Sequence, residues 1–184
     1  LAPLTNAYID AQLADTILIV GANPYETQTN YFLNHMIPNL NGESLDLKRS
    51  TFPGEKVALG RMIIMDPRRT ISVATAEAAA GKENVLHLQI EPGTDIAVMN
   101  AIARTALERR WHDVAFIKER AEWQTFEAYQ RSSLGSDRDA ATVVSEAAAL
   151  AGILVADIYK AAEWIAKPKS AGVRRRTLLH YDKG

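Results

Sequence analysis

Three short apolar runs, each ending in a polar turn, constrain the fold of this chain more than any other feature of its sequence. With their turns they read ILIVGANPYET (17–27), MIIMDPRRT (62–70) and LHLQIEPGTD (86–95). Each run is too short for a buried helix, is rich in Ile, Leu, Val or Met, and stops at Gly, Pro or Asp. This pattern is typical of parallel strands, and an open α/β sheet binds its ligands outside the carboxyl ends of such strands.

The composition indicates a globular chain without a strong charge bias. Of the 184 residues, 47% are hydrophobic, which is enough for one substantial core. The formal net charge of -1 disfavours a general nucleic-acid or anionic-membrane binder, and no apolar run approaches the roughly 20 residues that span a bilayer. Because cysteine is absent, this segment supplies no disulfide, thiolate metal ligand or iron-sulfur ligand.

The order of the patterns predicts an α/β fold, a Rossmann-like open sheet of mainly parallel strands with flanking helices and a helical C-terminal portion. Residues 1–110 are predicted to form the α/β nucleotide-binding core. Within that core, the polar stretch 39–59 is interpreted as a surface insertion, because it is longer than most connections in a compact domain. Three strands are expected in the core: Thr16–Val20, Arg61–Met65 and Val85–Gln89.

The remainder of the chain is predicted to be helical over residues 111–170, with 177–184 as the start of a further strand. A chain that begins without Met and ends on a strand-like run is expected to be an internal fragment. The aromatic stripe of Trp123, Phe126 and Tyr129 is interpreted as helix-packing core, with a stacking platform as the alternative. A basic run indicates either a solvated loop or a contact for a cofactor phosphate or partner; it consists of Lys167, Lys169, Arg174, Arg175 and Arg176.

The first turn, GANPYET, has the composition of a tight connection that a phosphate can approach. Gly21 can adopt a positive φ or bring the backbone close to a ligand, and Asn23 with Pro24 favours a tight turn. Backbone N–H groups at the following helix N-terminus, with Thr27 nearby, would favour a phosphate. A plain strand-to-helix connection fits the same residues, because the turn lacks the spaced glycines of the dinucleotide fingerprint.

The second turn places an acid where a doubly wound nucleotide site holds its ribose. Once the insertion 39–59 is set aside, Asp66 follows Gly21 by close to the roughly 20 residues that such a site requires. A carboxylate there can accept hydrogen bonds from hydroxyl or ring N–H groups. The alternative is that Asp66 and Pro67 begin a turn and cap the next helix.

The third turn, PGTD, indicates a guanine base. Guanine has two adjacent donors on its pairing edge, and a single carboxylate such as Asp95 offers two acceptors at matching spacing. Capping of the next helix by Thr94 or Asp95 is the alternative, and it is compatible with binding. The occurrence of three such turns in order, each at a strand end, favours a bound nucleotide.

These residues also resemble a known family. G-x-N-P after a strand, D-P-R-x-T after the next and P-G-T-D before a helix are similar to the molybdopterin guanine dinucleotide-binding domain of the dimethyl sulfoxide reductase family. The strings NPYETQTNYFLNHMIPNL, VLHLQIEPGTD and AAEWIAKPKSAG resemble the arsenite oxidase large subunits within that family. The resemblance covers essentially the whole chain, and its three short motifs specify the cofactor more than the substrate.

The resemblance implies that this chain anchors the cofactor, while catalytic and metal-ligating residues lie outside it. His35, His87, His112 and His180 do not match the family's catalytic positions. The cofactor contacts carried over by the three motifs are Gly21, Asn23, Pro24, Glu26, Thr27, Asp66, Arg68, Thr70, Gly93, Thr94 and Asp95.

The resemblance further implies that the full-length protein oxidises arsenite to arsenate at molybdenum bis(molybdopterin guanine dinucleotide). Electrons would leave through an iron-sulfur cluster outside this chain to a Rieske-type small subunit, then to an acceptor such as a c-type cytochrome or azurin. A periplasmic location is implied in the same way, and the fragment alone is expected to be inactive. Two alternatives remain: the same cofactor domain in a formate or nitrate enzyme, and a non-catalytic α/β nucleotide-binding or interaction module.

Overall fold

The computed structural model describes residues 7–181, which form an α/β fold and confirm the fold class expected from the sequence. The chain divides into two compact units. The first contains the residues up to Leu88 together with those from Arg175 onward, and the second runs from Gln89 to Arg174.

The first unit is built on a four-stranded sheet in which all neighbouring strands are parallel. Its strands are β1 (Thr16–Val20), β2 (Arg61–Met65), β3 (Val85–Leu88) and β4 (Thr177–Tyr181), in the spatial order β3-β2-β1-β4. The three expected strands are therefore confirmed. Residues 17–19 and 62–65 are buried along their whole length, which explains why these runs are continuously apolar rather than alternating.

The helices of the first unit are short and flank this sheet. They are α1 (Asp10–Leu13), α2 (Pro24–Thr27), α3 (Thr29–Tyr31), α4 (Ile37–Asn41), α5 (Leu45–Thr51) and α6 (Ile71–Ala80), with a π-helical turn at Phe32–Met36 and a 3-10 turn at Lys82–Asn84. The sequence predicts that Pro38 helps to end a helix, but the helical backbone continues to Asn41 and ends at Gly42, whose φ is 98°. The π-helical turn ends at Met36, two residues before Pro38, whose missing N–H would leave an α-helical bond unmade.

The segment 39–59 has many exposed residues, but two of its polar side chains are buried. Asn39 and Lys48 are both almost fully buried, at 1% and 2% exposure. The Asn39 Nδ2 group donates to the carbonyls of Ala11 (2.7 Å) and Ala14 (2.9 Å), and Lys48 Nζ donates to the carbonyl of Ala14 (2.9 Å). Polar side chains here satisfy buried backbone carbonyls, so polarity of sequence did not mean exposure.

Arg176, a residue of the basic run, has a clear structural role in the first unit. Arg176 donates from Nη1 and Nη2 to the two carboxylate oxygens of Glu55, at 2.9 and 2.6 Å. Its guanidinium carbon lies 3.5 Å from the ring centroid of Phe52. This bidentate pair fixes the start of β4 to the segment 52–55.

The second unit is helical, with α7 (Asp95–Glu108), α8 (Val114–Arg120), α9 (Trp123–Ser132), α10 (Ala140–Ala151) and α11 (Val155–Ala166). Helix α7 packs on α10 and α11. Its buried residues include Val98, Ala101 and Ile102. For that reason α7 belongs with the helical portion, and the units do not follow the division at residue 110 expected from the sequence.

The aromatic stripe of α9 does not form helix-packing core, contrary to the sequence-based interpretation. No residue of α9 is buried, and Tyr129 is 43% exposed. The rings of Trp123 and Phe126 pack on each other at 5.6 Å between centroids, and Lys118 Nζ lies 5.2 Å from the Trp123 ring. The stripe is thus covered mainly by its own neighbours in sequence.

Among the residues described, no single helix is long and apolar enough to cross a membrane. Only α10 and α11 taken together, which are bent by 111° to each other, meet that test by length and composition.

Candidate functional site

The strand order places the candidate site at one edge of the sheet in the first unit. The chain passes from β1 to β2 and β3 on one side, and β4 lies on the other side of β1. The order therefore reverses between β1 and β4, and an open α/β sheet binds ligands in the crevice at such a reversal. The turns after β1 and β2 lie side by side at this edge, because their strands are paired in parallel register.

The turn after β1 presents open backbone. Gly21 has a φ of 59°, and a Cβ built on it would meet nothing within 4 Å. Its N–H donates to the carbonyl of Met65 at 3.1 Å. The helix that follows, α2, is a single turn of four residues. Its dipole is therefore weaker than the dipole of the longer helix that the sequence predicts.

Polar side chains of this turn are held by one another and by α6. Asn23 Nδ2 donates to Glu26 Oε2 at 2.8 Å, and Thr27 Oγ1 donates to the Asn23 carbonyl at 3.2 Å. The buried Ser72 donates to Asn23 Oδ1 at 2.6 Å and accepts from the Tyr25 N–H at 3.0 Å. Ser72 thus joins the first turn to the second, and no pattern in the sequence singled it out.

Asp66 makes the turn that was the alternative to ribose binding. Its Oδ1 accepts from the Arg68 N–H at 2.8 Å, and its own N–H donates to the Leu88 carbonyl at 3.2 Å. The Arg68 side chain is 79% exposed, with Nε 4.0 Å from Asp66 Oδ1. Since a carboxylate has two oxygens and about four acceptor sites, this turn leaves acceptor capacity for a ligand hydroxyl.

Thr70 is notable at this site for its side-chain hydroxyl. It is 8% exposed, stands directly before α6, and its Oγ1 has no hydrogen-bond partner within the described part of the chain. Leaving a buried hydroxyl unpaired costs about 1–3 kcal/mol, so such groups usually meet a ligand or water. The neighbouring Arg69 is paired with Glu77, whereas Arg68 extends into solvent.

The third turn belongs to the second unit. Gly93 has a φ of 83°, and Asp95 is the first residue of α7 and is partly buried. Capping by the Thr94 side chain is absent: its Oγ1 donates instead to the Glu91 carbonyl at 2.6 Å.

Over residues 7–181, no group of three His, Cys, Asp or Glu side chains could hold a metal ion.

Comparison with known proteins gives several relatives, although no family model matches the chain. The chain is 44% identical to arsenite oxidase subunit AioA of Herminiimonas arsenicoxydans, over 98% of its own length and 21% of that protein. It is 29% identical to iodate reductase subunit IdrA of Denitromonas iodatirespirans and 26% identical to formate dehydrogenase H of Escherichia coli, in each case over 92% of the chain and 19% of the relative. The chain thus spans about a fifth of the length of these curated relatives.

Proposed function

Because this chain belongs to the molybdopterin oxidoreductase family, we propose that it binds the guanine dinucleotide part of a molybdenum-pterin cofactor. The observation that carries this proposal is the pair of strand-end turns in the first unit: a Cβ on Gly21 would meet nothing within 4 Å, and the buried Thr70 hydroxyl has no hydrogen-bond partner among the described residues.

The groups at these two turns fit a ribose and a diphosphate. The Asp66 carboxylate is an acceptor for ribose hydroxyls, and the exposed Arg68 guanidinium is a donor for phosphate oxygens. The hydroxyl of Thr70 and the N-terminus of α6, a helix of ten residues, add donors and a positive dipole end. The absence of a side chain at Gly21 lets a ligand approach the backbone.

Several residues of the family motif in the turn after β1 would support the site indirectly, by holding the side chains and backbone next to them. Glu26 is bonded to Asn23, which in turn accepts from Ser72, so these side chains hold the turn in shape. Pro24 fixes the first position of α2. The bound cofactor supplies the redox chemistry at molybdenum, and the chain's part is to anchor and orient it.

We further propose arsenite as the substrate of the full-length protein. This rests on the greater identity to the arsenite oxidase subunit, 44%, than to the iodate reductase subunit and formate dehydrogenase H, 29% and 26%. The proposal includes a Rieske-type small subunit with its acceptor, an iron-sulfur cluster outside this chain and a periplasmic location. A formate or nitrate enzyme with the same cofactor is the alternative, and activity of the purified full-length protein on arsenite, formate and nitrate separates them.

The cofactor proposal is tested by replacing Asp66 in the full-length protein. Loss of a hydrogen bond to a charged acceptor costs about 1.5–3 kcal/mol, so Asp66→Ala should weaken nucleotide retention by roughly tenfold or more. The measurement is molybdenum and acid-released GMP per mole of purified protein. Asp46→Ala, at a side chain that is 94% exposed, is the control; equal contents in both variants would contradict the assignment.

Asp95 is tested separately, because its guanine contact is proposed from the sequence alone. Asp95→Ala should lower GMP and molybdenum content, since a guanine edge would lose two acceptors at once. Asp137→Ala, at an exposed position of the same unit, controls for the loss of a carboxylate. Full cofactor loading of the Asp95 variant would contradict the proposed guanine contact of Asp95.

A further inference from the structure

The turn between α4 and α5, residues 41–44, contains a reactive pair of residues that the proposed function does not use. Asn41 is the last residue of α4, and Gly42 follows it with a φ of 98°. Asn41 is the only asparagine of the sequence that precedes a glycine. Asparagine is a thermolabile residue, and a following glycine leaves the next backbone nitrogen without a side chain to shield it.

The backbone nitrogen of Gly42 is free to act as a nucleophile in the folded chain. The Asn41 side chain is exposed, so water reaches this turn. The Pro38 carbonyl accepts from the Ser44 N–H at 3.0 Å. Within the described residues, the Gly42 N–H makes no cap hydrogen bond, so the end of α4 does not hold this nitrogen in place.

The Asn41 amide is oriented by its neighbour Glu43. The Glu43 N–H donates to Asn41 Oδ1 at 3.1 Å, and Asn41 Nδ2 donates to Glu43 Oε1 at 2.8 Å. When a nucleophile attacks Cγ of Asn41, negative charge develops on Oδ1. The Glu43 N–H already points at that oxygen, and a preorganised donor of this kind lowers the barrier to acyl transfer.

We propose that Asn41 and Gly42 form a self-modifying site that deamidates in the folded protein. The Gly42 nitrogen loses its proton and bonds to Cγ of Asn41, which closes a cyclic imide, and the amide nitrogen leaves with a proton as ammonia. Water then opens either carbonyl of the imide and yields aspartate or isoaspartate at position 41. Water is consumed and ammonia released, so the reaction needs no other reactant and is independent of the proposed cofactor-binding function.

Deamidation would place a carboxylate at a position where two features disfavour negative charge. The new group would face Glu43 Oε1, which accepts from the Asn41 amide at 2.8 Å, and two carboxylates in contact repel each other. Position 41 also ends a continuous helical run that begins at Thr29. Negative charge is unfavourable at the C-terminal end of a helix dipole.

The same turn supports the buried contacts of α5. Ser44 is 2% exposed, its Oγ donates to Gln12 Oε1 at 3.2 Å, and its carbonyl accepts from the Lys48 N–H at 3.0 Å. The Lys48 ammonium in turn donates to the Ala14 carbonyl at the end of α1. Repulsion within the turn would loosen these contacts, so deamidation lowers the stability of the first unit as the protein ages.

The reaction is tested by storing the purified full-length protein at physiological temperature and mildly alkaline pH, which favours the deprotonated nucleophile. Peptide mapping by mass spectrometry measures conversion, and enzymatic methylation of isoaspartate identifies the imide route. Asn41 should convert at least roughly tenfold faster than the exposed Asn34, which His35 follows, a ratio within the contribution of one preorganised donor. A synthetic peptide of residues 37–47 should convert no faster than the folded protein.

The effect on stability is tested with Asn41→Asp, which reproduces one product. This variant should lower the urea midpoint of the first unit, as read by proteolytic cleavage within residues 39–59. Glu43→Gln in the same chain should restore most of the loss, because it removes the repulsion. Asn34→Asp, the matched control, should leave the midpoint unchanged.

Three results would overturn the inference. The first is an unmodified Asn41 in the folded protein over a period in which the peptide is converted, and the second is equal conversion of Asn34 and Asn41. The third is an Asn41→Asp variant with the midpoint of the parent, which would remove the effect on stability. Cofactor content enters none of these measurements, so failure here leaves the proposed function untouched.

Discussion

Gly60→Ala is expected to lower the free energy of unfolding by about 2–3 kcal/mol, a cost typical of forcing extra atoms into a packed interior. A Cβ at position 60 would lie 2.5 Å from Oδ1 of Asn39. That amide cannot move aside cheaply, because its Nδ2 donates to the carbonyls of Ala11 and Ala14 and the residue is 1% exposed. Gly60 also donates its N–H to the Asn39 carbonyl at 2.9 Å, so backbone and side chain are both fixed.

A double-mutant cycle identifies the cause of this loss. Asn39→Ala removes the amide that obstructs the new methyl group. The double variant should therefore lose about 1–3 kcal/mol less unfolding free energy than the two single variants lose in sum. The measurement is urea unfolding of the full-length protein, in which proteolytic cleavage within this segment reports how much of it is unfolded. Strict additivity would show that the cost of Gly60→Ala does not come from Asn39.

Ile19→Ala should be the more damaging of the two substitutions, at about 3–4 kcal/mol. Ile19 is fully buried in β1, between Ile64 of β2 and His180 of β4 in the sheet register. Removing its side chain leaves a cavity that a close-packed parallel sheet cannot collapse to fill. Because β1 carries the turn at Gly21, cofactor content should fall together with stability.

The matched control is the same substitution at an exposed position. Ile96 in α7 is 71% exposed, so Ile96→Ala should change the unfolding free energy by less than about 0.5 kcal/mol. The midpoint of urea unfolding is read by the same proteolysis assay, with molybdenum content measured at the same time. A similar loss in both variants would contradict the assignment of Ile19 to the core.

The strands were predictable because their signal is local. A continuous run such as ILIV or MIIM, closed by Gly21 or Asp66, suits a strand buried on both faces, and β1 and β2 have the expected bounds. The burial of Asn39 and Lys48 was not predictable, because their partners are carbonyls of α1 and its neighbours, far away in the sequence. The same holds for Ser72, whose importance comes from Asn23 and Tyr25 on another turn.

The stripe of α9 shows the opposite error. Trp123, Phe126 and Tyr129 have the spacing of a buried helix face, yet no residue of α9 is buried. Periodicity records that a helix has an apolar side, and it carries no information on what covers that side.

By itself, the sequence determined the parallel strands, the polar turns that end them and the family, because each depends on residues close together in the chain. The tertiary structure alone decided that β4 pairs with β1 and so creates the reversal of strand order. It also decided that the hydroxyl of Thr70 is buried without a partner among the described residues. These features depend on contacts between distant segments, and pairing and burial of that kind leave no periodic trace in the sequence.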